Sequence, residues 1–64
     1  MTLTDREKEI LKTYKAEGFI LTATAAHLSY SYSTAKRIME EIRDKLGALD
    51  NTDAYHLAKD YLEP

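Results

Sequence analysis

Apolar residues recur along this chain at helical spacing, and no segment alternates apolar and polar side chains as a strand would. Thr4 and Glu7 have the spacing of a capping box, which predicts a helix start, and Gly18 is placed to end that helix. The apolar side chains between these signals share one helix face: Ile10, Leu11 and Tyr14. The pattern therefore predicts a first helix over about residues 4–17.

Two further helices are predicted on either side of a short turn. The alanine-rich segment of about residues 22–28 predicts a short helix whose small side chains allow close approach. Ser31 is placed to cap the next helix, over about residues 32–46, and Gly47 to end it. Its apolar stripe, which is expected to pack, consists of Ala35, Met39, Ile42 and Leu46. Its polar face, which is expected to meet solvent or a partner, consists of Ser33, Lys36, Arg37, Glu40, Glu41 and Asp44.

A fourth helix is predicted over about residues 52–62, with Thr52 as its cap. Its apolar residues follow helical spacing and comprise Ala54, Leu57, Ala58, Tyr61 and Leu62. No repeat, low-complexity run or linker divides the chain. The sequence therefore predicts a single all-α domain of four helices over residues 1–64.

Composition limits the classes of protein to which the chain can belong. With 64 residues and no cysteine, it has room for one small core and no means of forming a disulfide or thiolate metal site. No apolar run is long enough to span a bilayer, and the N-terminus lacks a signal-peptide pattern, so we expect a cytoplasmic protein. His27 and His56 have no carboxylate or cysteine at ligand or catalytic spacing and are interpreted as surface residues. We expect no metal, no cofactor and no enzymatic activity.

The short second helix, the turn and the capped third helix follow the pattern of a DNA-binding helix-turn-helix. The exposed Lys36 and Arg37 would then reach guanine edges or phosphates, with a solvated basic pair as the alternative. The hydroxyl groups of Ser33 and Thr34 would contact phosphate, or serve only as first-turn residues. Tyr32 would lie along the DNA backbone or pack over the turn. The predicted DNA-contacting residues are Tyr32, Ser33, Thr34, Lys36, Arg37 and Glu40.

The overall charge opposes this interpretation. The chain has a formal net charge of −2 and a pI near 5.6, whereas DNA-binding domains usually carry a positive excess that neutralises phosphates. The predicted third helix itself carries four basic and three acidic side chains. Binding to double-stranded DNA therefore requires that the charges be segregated over the surface.

Several motifs, aligned in order and without a gap, point to a known family. They are Leu3-Thr4-x-Arg6-Glu7-x-Glu9-Ile10-Leu11, Ala16-Glu17-Gly18 and Lys45-Leu46-Gly47, with further matches at Ala25, Leu28, Ser31, Thr34, Lys36, Ile42, Thr52 and Ala54. With these residues the chain resembles the LuxR-type (GerE/NarL) helix-turn-helix domain over residues 3–58. The resemblance implies a bacterial or phage-type regulator with four helices, of which the third enters the major groove and the fourth pairs two protomers.

The sequence also departs from the family pattern on the predicted DNA-binding face. Ala35 stands where valine is usual, and Ile38 stands where histidine is usual. Glu40 and Glu41 occupy positions where the family favours Asn or Lys, and the second helix lacks its usual lysine. Several phosphate partners are thus missing, although a glutamate over a base edge can accept a hydrogen bond from a cytosine amino group. Glu40 remains a candidate contact for this reason.

The fourth helix carries more apolar surface than a small core needs, which predicts an intermolecular contact. The predicted dimer interface consists of Ala54, Tyr55, Ala58, Tyr61 and Leu62. In the alternative, Tyr61 and Leu62 close the bottom of the domain. We expect a stand-alone transcriptional regulator that binds DNA as a weak homodimer.

Two other functions remain open at this point. The first is a small antagonist or co-regulator that keeps the fold, binds a LuxR-type protein or RNA polymerase, and has an acidic DNA face; the weak charge supports it. The second is a fragment resembling region four of sigma factors, which the Lys45-Leu46-Gly47 ending fits less well. A test of duplex binding separates these classes of protein.

Overall fold

The structure is a computed structural model that describes residues 2–62, and within them it contains helices and no strands. The four helices are α1 (Asp5–Ala16), α2 (Leu21–Leu28), α3 (Tyr32–Leu46) and α4 (Asn51–Leu62). The predicted all-α fold with four helices is confirmed, and each helix end lies within one residue of its predicted position. Residues 1, 63 and 64 of the predicted domain lie outside the described residues. None of the helices described is long and apolar enough to cross a membrane.

Local hydrogen bonds explain where α1 begins and ends. The Thr4 hydroxyl accepts from the Glu7 N–H at 3.1 Å, and the Glu7 carboxylate accepts from the Thr4 N–H at 2.8 Å, which completes the capping box. At the other end Gly18 adopts the left-handed conformation with φ 71°. Phe19 is also left-handed, with φ 64°, and its N–H donates to the Tyr14 carbonyl at 2.8 Å. These bonds turn the chain sharply towards α2.

A turn of three residues joins α2 to α3. Ser29 closes α2 in the left-handed conformation, and the Tyr30 N–H donates back to the Ala25 carbonyl at 2.9 Å. The Ser31 hydroxyl caps α3 by accepting from the Thr34 N–H at 3.1 Å. Two helices joined by such a turn have the connectivity of a helix-turn-helix.

The core lies where α3 packs against the other three helices. Its buried apolar residues are Leu3, Ile10, Leu11, Tyr14, Ala25, Ala35, Ile38, Met39, Ile42, Ala54, Ala58 and Leu62. Ile38 is buried although it lay outside the predicted stripe, whereas Leu46, inside that stripe, is only half-buried. Because α3 has neighbours on several sides, its buried arc is wider than a single stripe.

The cap of α4 differs from the prediction. The Asp50 carboxylate accepts from the Asp53 N–H at 2.8 Å, and the Asp50 carbonyl accepts from the Ala54 N–H at 2.9 Å. Asp50 therefore performs the capping role, and Thr52 lies inside the first turn. Aspartate is a strong cap because its carboxylate accepts hydrogen bonds and interacts favourably with the helix dipole.

A charged pair joins the first turn of α1 to the end of α3. Glu7 is only 5% exposed, and its carboxylate accepts a hydrogen bond from the Lys45 ammonium group at 2.7 Å. Burial alone would raise the pKa of Glu7, but the hydrogen bonds from Lys45 and from the Thr4 N–H together hold that pKa below its usual value. The ionised Glu7 side chain therefore stabilises the folded state at neutral pH.

Replacing Glu7 by glutamine is expected to lower the free energy of unfolding at neutral pH by about 1–3 kcal/mol, because Lys45 loses its charged acceptor. Since the folded state lowers the pKa of Glu7, its stabilisation is present above the usual value of 4.5 and is lost as the pH falls through the folded-state pKa. The difference between variant and wild type should therefore shrink in acid. Urea unfolding at about pH 7 and about pH 3 measures it.

Glu9 provides the matched control for this experiment, because it is exposed on the same helix. The change Glu9→Gln should alter the free energy of unfolding by no more than about 0.5 kcal/mol. A constant difference between Glu7→Gln and wild type at both pH values would contradict the assignment of the effect to the ionised carboxylate.

Candidate nucleic-acid interface

The face of α3 that sequence reasoning predicted to be free is exposed in the structure. Among the predicted DNA-contacting residues, the side chains exposed to solvent are those of Tyr32, Ser33, Lys36, Arg37 and Glu40. Thr34 is half-buried, and its hydroxyl accepts a hydrogen bond from the Ser31 hydroxyl at 2.8 Å. Its backbone N–H also donates to Ser31, so Thr34 completes the helix cap.

Only two of the four basic residues on α3 project freely from it. Arg43 is half-buried and donates to the Asn51 side chain, which ties α3 to the start of α4. Lys45 is paired with Glu7. Neither Lys36 nor Arg37 takes part in an ion pair among residues 2–62. The positive charge available to a partner on α3 is therefore that of Lys36 and Arg37.

Aromatic side chains hold two cations at the N-terminal end of α3. The Lys36 ammonium lies over the Tyr32 ring, 5.7 Å from its centroid. The Arg6 guanidinium lies over the Tyr30 ring, 5.5 Å from its centroid. Because Arg6 belongs to α1, sequence reasoning did not place it here. Its position at the second residue of a capped helix was visible, but not which part of the chain that residue would face.

The acidic residues avoid one continuous segment of the chain. Residues 18–39, which cover α2, the turn and the first half of α3, contain no Asp or Glu. All 11 acidic residues of the chain lie elsewhere. On α3 they begin only at Glu40, followed by Glu41 and Asp44. The net charge of −2 thus conceals a carboxylate-free end of α3 that carries Lys36 and Arg37.

A groove separates the first turn of α1 from one side of α3. Its lining residues are Thr4, Arg6, Glu7, Arg37, Ile38, Glu41 and Lys45. Arg37, Glu41 and Lys45 follow one another at intervals of four residues and so share that side of the helix. Lys36 and Glu40 do not line the groove.

The candidate dimer residues on α4 divide into two groups. Ala54 and Ala58 are 0% exposed and Leu62 is 4% exposed, so these three side chains belong to the core of the domain and offer no surface to a partner. Their prediction as interface residues was wrong for this physical reason: they are the residues through which α4 packs on the rest of the domain. Tyr55 is half-buried, with its ring 5.6 Å from that of Phe19.

Exposed apolar surface on α4 lies on the neighbouring side of the helix. Tyr61 is 58% exposed and Leu57 is 47% exposed, and their spacing of four residues places them side by side. Leu49, in the loop before α4, is 91% exposed. Leu57 and Tyr61, hereafter the α4 patch, comprise one residue outside the predicted interface and one residue from it.

The candidate interface therefore combines the N-terminal half of α3 with one arginine from α1. Tyr32, Ser33, Lys36 and Arg37 are exposed there, and Arg6 is held beside them by Tyr30. In comparisons with known proteins, no protein-family model, no curated protein and no solved structure matches this chain.

Proposed function

We propose that this chain is a DNA-binding transcriptional regulator of the LuxR type, which reads the major groove with α3. The observation that carries the proposal is the capped N-terminal half of α3, which exposes Lys36 and Arg37 from a segment without carboxylates. In helix-turn-helix proteins the second helix of the motif, which is α3 in this proposal, contacts base edges with its N-terminal half. The motifs that resemble the LuxR-type domain support the same assignment.

The exposed side chains suit different parts of a duplex. Lys36, held over Tyr32, is suited to the acceptors on a guanine edge. Ser33 lies in the first turn of α3, where its hydroxyl and the positive end of the helix dipole favour a phosphate. Glu40 lies one turn beyond Lys36, and as a base contact it would accept from a cytosine amino group. Since Thr34 serves the cap, its hydroxyl is not needed for the proposal.

The size of the domain argues for two copies on an operator. Its backbone spans 27 Å along the longest axis, whereas successive half-sites on DNA lie about 34 Å apart. One copy therefore covers one half-site, and a pseudo-palindromic operator would take two copies. We propose that the α4 patch pairs them as a weak homodimer.

Selection from random duplexes with the purified full chain, followed by fluorescence anisotropy on the selected site, tests DNA binding. Lys36→Ala and Arg37→Ala are each expected to weaken binding to that site by about 1–3 kcal/mol, which corresponds to about 5- to 150-fold in Kd. Both side chains are exposed, so circular dichroism should report an unchanged fold. Unchanged affinity in both variants would refute recognition of the groove by this face.

Lys59→Ala is the matched control, because Lys59 is an exposed cation on α4 and lies outside the candidate interface. It removes the same charge and should leave the affinity for the selected site within about twofold of wild type. A loss equal to that of Lys36→Ala would mean that net charge alone, and not the face of α3, determines binding.

A second candidate function is supported by the acidic second half of α3. Glu40, Glu41 and Asp44 are all exposed there, and carboxylates near a phosphate backbone are repelled. A protein that keeps this fold but binds a LuxR-type regulator or RNA polymerase would retain such a surface. Selection that recovers no duplex, together with co-elution of the chain with either protein in gel filtration, would favour this antagonist.

A further inference from the structure

We infer that Arg6 and Arg37 form a phosphate-binding site beside α3, and that it takes a phosphodiester group of duplex DNA. This inference rests on the proposed function and adds to it a residue from α1. Arg37 thereby becomes a backbone contact, while Lys36, on the neighbouring side of α3, remains the residue that faces the bases.

Arg6 and Arg37 line the same groove between α1 and α3, although they are far apart in sequence. Tyr30 immediately precedes the α3 cap, and its ring lies 5.5 Å from the Arg6 guanidinium carbon. Contact with Tyr30 and a shared groove with Arg37 together locate the head of Arg6 beside the N-terminal half of α3.

The charged side chains inside the groove do not cancel one another. Five charged residues line it, namely Arg6, Glu7, Arg37, Glu41 and Lys45. Glu7 and Lys45 neutralise each other across 2.7 Å, which leaves two guanidinium groups and one carboxylate. Among residues 2–62 neither arginine takes part in an ion pair. The groove thus holds surplus positive charge in the form of guanidinium, whose planar set of donors matches phosphate oxygens.

A duplex bound at α3 would bring phosphate groups to this groove. A helix in the major groove is flanked by phosphate backbones, so a cation beside the helix meets phosphate, whereas one on its leading face meets base edges. The groove lies on the side of α3 that faces α1. The Tyr30 ring restricts the Arg6 side chain before binding, which reduces the conformational entropy lost when a phosphate is bound.

Glu41 gives the inference its sharpest test. It lines the groove and would repel a phosphate there, whereas Glu40 is equally exposed on α3 but does not line the groove. On an unrelated duplex, where a base contact by Glu40 does not contribute, Glu41→Gln should therefore raise the affinity more than Glu40→Gln does, although both remove one negative charge from the same helix. Equal gains in the two variants would mean that the effect is one of net charge.

The experiment measures anisotropy on the selected duplex and on an unrelated duplex over a range of salt concentrations. Arg6→Gln should weaken binding to both by about three- to tenfold and reduce the slope of log K against log salt by about 1. Arg6→Lys should recover only part of the loss, because it restores charge without the planar donors. Tyr30→Leu should weaken binding in the same direction as Arg6→Gln, with circular dichroism as the folding control.

A second measurement identifies the source of the phosphate group. Titration of the full chain with inorganic phosphate, against sodium chloride at equal ionic strength, is followed by NMR at the side-chain Nε–H groups of Arg6 and Arg37. We expect both signals to shift with phosphate and not with chloride. If both signals shift with phosphate but duplex binding does not depend on Arg6, the site binds free phosphate and the proposed DNA contact is overturned.

The failures of the two proposals are distinguishable. If Lys36→Ala weakens duplex binding while Arg6→Gln changes neither affinity nor salt slope, the phosphate site is wrong and the DNA-binding function stands. If selection recovers no duplex at all, the proposed function fails. The proposal that a phosphodiester group of DNA binds at Arg6 and Arg37 then fails with it.

Discussion

Ile42→Ala is expected to lower the free energy of unfolding by about 2–5 kcal/mol, because it opens a cavity at the point where the helices meet. Ile42 is 0% exposed and sits on α3, which contacts each of the other helices. A domain of 64 residues has a total stability of roughly 3–10 kcal/mol at about 0.05–0.15 kcal/mol per residue. The variant should therefore lose a large share of the stability of the domain. Urea unfolding followed by circular dichroism measures the change.

Two variants calibrate this experiment. Ile42→Val removes a single methyl group and should cost about 0.5–1.5 kcal/mol. Glu40→Ala changes an exposed residue on the same helix and should stay within about 0.5 kcal/mol of wild type. If Ile42→Ala and Glu40→Ala unfolded at the same urea concentration, Ile42 would not lie at the centre of the core.

The ends of the helices could be predicted from sequence because the groups that fix them are local. The reciprocal hydrogen bonds of Thr4 and Glu7 join residues three positions apart, and Ser31 caps α3 over the same spacing. Asp50 was missed because a second capping residue, Thr52, stands two positions further on. Sequence spacing alone does not decide which of two adjacent capping residues engages the backbone.

The packing of the helices could be predicted only in part, because helical periodicity identifies an apolar face but not what covers it. The faces of α1 and α3 were assigned correctly apart from Ile38, which is buried, and Leu46, which is only half-buried, since both helices lie against the core. On α4 the same periodicity marked Ala54, Ala58 and Leu62, which the domain itself buries. Small residues at that spacing allow close contact within a chain as readily as between chains.

Long-range contacts were the part of the candidate site that sequence reasoning did not reach. The exposure of Lys36 and Arg37 could be predicted because both lie on the polar face of a single helix. Arg6 is separated from Tyr30 by almost the whole of α1 and α2, and nothing in the local pattern brings them together. Likewise the pair of Glu7 and Lys45 joins residues 38 positions apart and determines which cations remain available on α3.

The distribution of charge supports the proposed function, whereas its sum opposes it. A net charge of −2 argued against DNA binding, yet residues 18–39 contain no carboxylate at all. Electrostatic attraction at physiological salt is screened beyond about 8 Å, so a duplex at α3 is influenced mainly by the charges nearest to it. Carboxylates that lie farther than this from the bound duplex therefore oppose binding less than their number suggests.

On a duplex with two half-sites, the double variant Leu57→Glu/Tyr61→Glu is expected to bind about a hundredfold more weakly than wild type. Both residues are exposed in the α4 patch, so the added charges should repel a second copy without disturbing the core. Binding to a duplex with one half-site should be unchanged, because α4 does not contribute to the candidate DNA interface. The variant Leu62→Glu would not test the interface, because the Leu62 side chain is only 4% exposed and a charge there would unfold the domain.

Analytical ultracentrifugation, with and without a duplex whose half-sites lie about one helical turn apart, measures the assembly directly. Wild type is expected to be a weak dimer in solution that tightens on this duplex, and the double variant is expected to remain monomeric in solution. Ile20→Glu provides the matched control, because Ile20 is an exposed apolar residue outside α4 and should leave dimerisation intact. Cooperative binding that survives in the double variant would exclude the α4 patch as the interface. If the wild-type chain stays monomeric on DNA yet binds a full-length LuxR-type protein, the result would contradict the regulator function and favour the antagonist.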